Sequence, residues 1–77
     1  MPSLDEQDGV IAFGKNVRRI RKEKNLTMEE LANIAEIEIS QIYRIENAKR
    51  NIRLSTVFTI AKALGVDPHV LFMNTPY

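Results

Sequence analysis

The chain has 77 residues, 44% of them hydrophobic, with no cysteine and a single histidine. That length allows one small domain; the lack of cysteine excludes disulfides and thiolate metal sites, and one histidine cannot build a metal centre alone. The formal net charge of +1 conceals segregation: residues 15–24 hold six bases, residues 44–53 hold four of the remaining five, and the stretch between, 25–43, has four acids and no base. Brought to one face, the two blocks would make an electrostatic footprint for phosphates. Left apart, they are solvated helix ends that complement helix dipoles. No apolar run reaches the ~18 residues of a membrane span and the acidic N-terminus does not resemble a signal peptide, so a cytoplasmic protein without membrane contact is expected.

Residues 1–9 are polar and acidic, with Pro2 and Gly9, and read as a flexible tail ahead of a domain over 10–77. Phe13, Val17 and Ile20 recur at helical spacing and predict a first helix from about Val10 to Lys24, ended by Asn25. Thr27 with Glu30 three residues on makes a capping box. The second helix then runs to about Ala35, with Leu31 and Ala35 inward and a small Ala32 that permits close packing. Glu36-Ile37-Glu38 is the turn, with Ile37 as an apolar plug and Glu38 at the positive start of the third helix. That helix runs to about Asn47, buries Ile42 and Ile45, and turns Ile39, Ser40, Gln41, Tyr43, Arg44 and Asn47 outward. Ala48 to Arg53 is a basic loop. The fourth helix is expected to start at Ser55 as N-cap, carry Val57, Ile60, Ala61 and Leu64 inward, and stop at Gly65. Asp67 as cap and Pro68 at the first position open a short fifth helix, about Pro68 to Met73. No window alternates with period two, so the fold class is all-α with five helices.

Two short helices joined by a tight turn, with bases just past the second, form the layout of a helix-turn-helix that places its second helix in the DNA major groove. Four pieces carry a more specific likeness: FGKNVRRIRKEKNLT from Phe13, ELA at Glu30 to Ala32, RIENAKRN at Arg44 to Asn51, and IAKALGVDP at Ile60 to Pro68. In this order and spacing they resemble the phage repressor/Cro-type (XRE-type) helix-turn-helix family across Phe13 to Phe72. Its small members include controller proteins of restriction-modification systems, antitoxin-like regulators and phage repressor domains. The resemblance implies a five-helix repressor-like DNA-binding domain. It further implies a sequence-specific transcriptional regulator that binds a near-palindromic operator as a homodimer, with the third helix in the major groove.

By that resemblance Arg21 and Glu46 pair inside the domain. The base-reading positions fall on Glu38, Ile39, Ser40, Gln41, Tyr43 and Arg44. Arg44 suits guanine O6 and N7, Gln41 suits adenine, Ile39 a thymine methyl, and Glu38 a cytosine amine or the cap of its own helix. Ile39 can also be a core or dimer contact, Tyr43 a surface aromatic, and Arg44 a partner of a nearby acid. Phosphate contacts fall on Thr27 and Met28 at the start of the second helix and on Asn47, Lys49, Arg50 and Asn51 after the third. Arg18, Arg19 and Lys22 flank the same backbone or are solvated. The chain departs from many relatives at Met28 (glutamine), Glu36 and Ala48 (glycine) and Ile52 (proline). A glutamate in the left-handed region is strained, so a wider turn or a negative φ is expected at Glu36.

The C-terminal residues Val66, Val70, Leu71, Phe72, Met73 and Tyr77 offer more apolar surface than a small core needs, and residues 66–77 are read as the dimer interface, or else as closing the base of the core. His69 is expected at the surface. A second class of function is a protein-interaction module, of antitoxin or antagonist type, for which the acidic turn and apolar C-terminus speak. With no Gly-rich phosphate loop and no nucleophile set, no enzyme, cofactor or small-molecule ligand is expected.

Overall fold

Phe13, Val17 and Ile20 form the buried edge of the first helix, and every later element packs its own apolar stripe against them. The computed structural model describes residues 6–49 and 51–73. They form four α-helices, α1 (Glu6–Glu23), α2 (Met28–Ala35), α3 (Ile39–Glu46) and α4 (Leu54–Leu64), then a 3₁₀ segment, Pro68–Phe72. Among the described residues there is no strand, and no helix is long and apolar enough to cross a membrane.

α1 starts at Glu6 rather than near Val10, which takes residues 6–9 out of the expected tail. The first turn of a helix needs no apolar residue, and Asp8 sits where the positive end of the dipole favours an acid; residues 1–5 lie outside the described set. Asn25, at φ 60°, ends α1, and Leu26 N–H closes onto the Arg21 carbonyl at 3.0 Å. α1 crosses α3 at Gly14, where a Cβ would overlap the Ile45 carbonyl oxygen. Backbone cannot yield as a side-chain tip can. Gly14→Ala is therefore expected to lose about 1–3 kcal/mol by overpacking, more than alanine's better helix propensity returns. Urea denaturation checks this, and a variant as stable as the parent would contradict the close crossing.

Two expected elements differ. α4 begins two residues early, at Leu54 with Arg53 in place of Ser55 in the cap position, because the Arg53 carbonyl accepts from Thr56 N–H at 3.0 Å and Val57 N–H at 3.1 Å. Ser55 is therefore inside the helix, where its carbonyl takes the Thr59 hydroxyl at 3.0 Å. The expected fifth helix is the 3₁₀ segment, so the described residues form four α-helices, not five. Five residues opened by a proline are too few to nucleate an α-helix, and Val70 N–H bonds back three residues to Asp67 at 3.0 Å. Pro68 holds the first position as expected, but the Asp67 side chain makes no cap bond.

The same segment divides the residues expected at the dimer interface. Leu71 is fully buried and closes the core. Val66 and Val70 are partly buried and pack against it. Only Phe72 and Met73 of that set face out; Tyr77 lies outside the described residues. His69 is exposed.

Candidate nucleic-acid interface

The start of α2 is held by a complete capping box: Thr27 N–H donates to Glu30 Oε1 at 2.8 Å, and Glu30 N–H donates to Thr27 Oγ1 at 3.0 Å. This presents the first amides of α2 outward beside an exposed Thr27. Met28 does not join Thr27 at the surface. Its side chain packs against the core, because an apolar chain at the first helical position gains more by burial than a solvated thioether would.

The turn is tight, and Glu36 takes the left-handed region in place of the expected wider turn or negative φ. Glu36 adopts φ 58°, ψ 42°, and Ile37 N–H closes onto the Ala32 carbonyl at 3.0 Å. Ile37 is partly buried against the core, and holding that plug offsets the roughly 1–2 kcal/mol that a side chain costs in the left-handed region. Ala48, at φ 54°, ends α3 in the same way, with Lys49 N–H on the Arg44 carbonyl at 2.9 Å.

α3 buries Ile42 and Ile45 and leaves Ile39, Ser40, Gln41, Tyr43 and Arg44 exposed, with Glu38 exposed at its N-cap. Glu38 makes no side-chain cap bond, so its carboxylate does not cap the helix. Ile39 is not a core residue, and among the described residues no acid pairs with Arg44. Asn47 turns its amide back onto the Tyr43 carbonyl at 2.9 Å, which caps the end of α3. Lys49 and Asn51 are exposed; Arg50 lies outside the described residues.

Gln41 and Arg44 share one cleft with Asn51, Arg53 and Thr56, floored by Ile45 and Ile52. Arg53 and Thr56 were not among the expected site residues. The available signal was the basic block itself, which ends at Arg53, but with α4 assumed to start at Ser55 neither residue had a place beside α3.

α3 is oriented from behind by Arg21 and Glu46. Arg21 Nε donates to Glu46 Oε2 at 2.6 Å and Nη2 to Oε1 at 3.0 Å, while Nη1 donates to the Leu26 carbonyl at 2.7 Å. The two side chains are 10% and 3% exposed. The hydrogen bond to Glu46 raises the Arg21 pKa, against the lowering effect of burial. One guanidinium thus ties the last turn of α1 to the end of α3 and to the chain entering α2. In the first basic block Arg21 is consumed by this pair and Arg19 bonds Glu23 at 3.1 Å, leaving Lys15, Arg18, Lys22 and Lys24 as exposed charge.

Known proteins share this arrangement. The control protein C.BamHI of Bacillus amyloliquefaciens is 41% identical over 59 residues, covering 75% of this chain and 73% of that protein. The transcriptional repressor RghR of Bacillus subtilis is 33% identical over 67 residues, and the match spans only 50% of its length. Among solved structures, the restriction-modification controller protein C.AhdI of Aeromonas hydrophila superimposes with a TM-score of 0.80 at 32% identity, covering 82% of this chain and 96% of that one. The family model described as helix-turn-helix matches residues 17–71, and with these relatives it establishes that the chain belongs to the phage repressor/Cro-type (XRE-type) helix-turn-helix family.

Proposed function

We propose that this chain is a sequence-specific DNA-binding transcriptional regulator, not an enzyme, that acts in the cytoplasm on a near-palindromic operator as a homodimer. The observation that carries the reading is the outer face of α3: Gln41 and Arg44, with edge-reading chemistry, open directly onto a cleft lined by Asn51, Arg53 and Thr56. α3 lies in the major groove and the sugar-phosphate strand crosses that cleft, with Thr27, Lys49 and the α2 amides as further phosphate contacts. The control proteins among the relatives favour a controller of this kind.

Self-association has its own support. An eight-residue recognition helix is about 12 Å long and reads only a few base pairs, so operator-level selectivity calls for two copies with half-sites about one helical turn apart. A shallow, mainly apolar groove lined by Val10, Phe13, Ile52, Leu54, Val57 and Phe72, with Asn51 at the edge it shares with the cleft, has no charged residue among the described ones. Leu54 is 69% and Phe72 57% exposed at this groove, and Phe58, also exposed, lies one turn along α4 from Leu54. Two-fold pairing buries such a patch against itself. The interface is thus assigned to the face shared by α1, α4 and Phe72, rather than to residues 66–77 alone.

Arg44→Ala is expected to weaken binding to the preferred site by about 1–3 kcal/mol and to relax one base position. Lys49→Ala should weaken all sequences alike and lower the salt slope by about one. Titration against a panel of single-base operator variants at two salt concentrations checks both. An Arg44→Ala protein with unchanged affinity and preference would remove α3 from the reading role.

A protein-binding role of antitoxin or antagonist type has one observation in its favour. Ile34 is exposed on α2, next to a turn that carries exposed Glu36 and Glu38. An apolar partner interface there would respond weakly to salt, whereas DNA binding weakens steeply with it.

A further inference from the structure

Asn16 is a polar residue on the buried face of α1, 2% exposed, between Phe13 and Ile20. A buried amide is costly unless its polar atoms are partnered. Here Nδ2 donates to the Leu71 carbonyl and to the Met73 carbonyl, each at 2.9 Å, and Oδ1 accepts from Arg19 Nη2 at 3.4 Å. With two carbonyls on one side, the orientation of the amide is fixed by its partners. The carbonyls it holds belong to Leu71 in the 3₁₀ segment and to Met73, its C-cap residue. A leucine of similar volume would fill the space and lose both bonds.

Phe72 lies between the two anchored carbonyls. Pinning residues 71 and 73 determines which way the chain faces at 72: Leu71 goes into the core and Phe72 out, with its ring 5.1 Å from that of Phe13 at the rim of the apolar groove.

We infer that Asn16 is a positioning residue for self-association: from inside α1 it locks the C-terminal segment so that Phe72 stands on the face a second copy of this chain covers. The inference rests on the homodimer reading above. Asn16 touches neither the groove partner nor DNA. It acts through the two carbonyls.

Sedimentation equilibrium of the full chain without DNA tests it, on the parent, Asn16→Ala, Phe72→Ser and the double variant, at a temperature where circular dichroism shows each fully helical. Ile42→Val is the control for lost core stability remote from the groove. The parent is expected to dimerise, Asn16→Ala to raise the dimer dissociation constant at least ten-fold, and Ile42→Val to leave it unchanged. The double variant should be no weaker than Phe72→Ser alone, since both changes remove one interaction. If Asn16→Ala does not fold, Asn16→Ser takes its place in the same comparison. Dimerisation unchanged by Asn16→Ala, or losses that simply add in the double variant, would overturn the inference. A parent that stays monomeric would overturn the homodimer reading itself, whatever the variants do.

Discussion

Glu46→Ala is expected to remove about 3–5 kcal/mol of folding stability, the cost of stranding a buried charge. The Glu46 side chain is 3% exposed and bonded through both oxygens to Arg21. Without the carboxylate, the guanidinium keeps only the Leu26 carbonyl within a nearly dry pocket. Small domains have a total stability of roughly 5–15 kcal/mol, so the variant should sit at the edge of folding. Arg21→Met/Glu46→Leu together should recover most of the loss, because the pair contributes less by its attraction than by being complete. Urea denaturation of the parent and the two variants measures this; a loss under about 1 kcal/mol for Glu46→Ala would mean that water screens the pair. The raised Arg21 pKa contributes stability that is complete below the unfolded value and lost only as pH rises through the folded one. Both lie in strongly alkaline solution, so Arg21 adds no pH dependence near neutrality.

Leu71→Ala should cost about 2–5 kcal/mol, as for other fully buried leucines. Its neighbour behaves in the opposite way: Phe72 is largely exposed, and Phe72→Ser should leave the monomer nearly as stable while weakening self-association. Thermal unfolding at a protein concentration low enough that parent and variants are all monomeric separates the two. For a domain of this size each kcal/mol lowers Tm by about 4–8 °C, so Leu71→Ala should lose about 8 °C or more. Equal Tm losses at residues 71 and 72 would contradict the alternation that places one in the core and the other on the surface.

Much of this fold was legible because the signals were local. The spacing of Phe13, Val17 and Ile20, the Thr27/Glu30 box and the Gly65 stop each act within a few residues, and α1, α2 and the end of α4 follow from them. What could not be read depends on distant partners. Asn16 falls on the apolar stripe of α1, a visible anomaly, but its meaning lies 55 residues away at Leu71. Gly14 looks like any helical glycine until α3 crosses it. Arg21 and Glu46 are 25 residues apart with no periodicity to join them, so only the family likeness named them as a pair. The left-handed backbone at Glu36 and Ala48 was hidden for a different reason: tertiary closure imposed it on residues whose own preference is against it. At the interface, the outward residues of α3 followed from helical spacing, whereas the Arg53 and Thr56 wall of the cleft depended on a helix start that the local sequence misplaces.

The most direct test of the α3 reading is selection of bound duplexes from a random DNA pool by folded protein at near-physiological salt, run in parallel with Arg44→Ala. The expected result is an enriched inverted repeat with half-sites about one helical turn apart, and a loss of preference at one symmetric position in the variant. No enrichment by the folded parent, or an identical motif from Arg44→Ala, would contradict it and turn attention to a protein that covers α3.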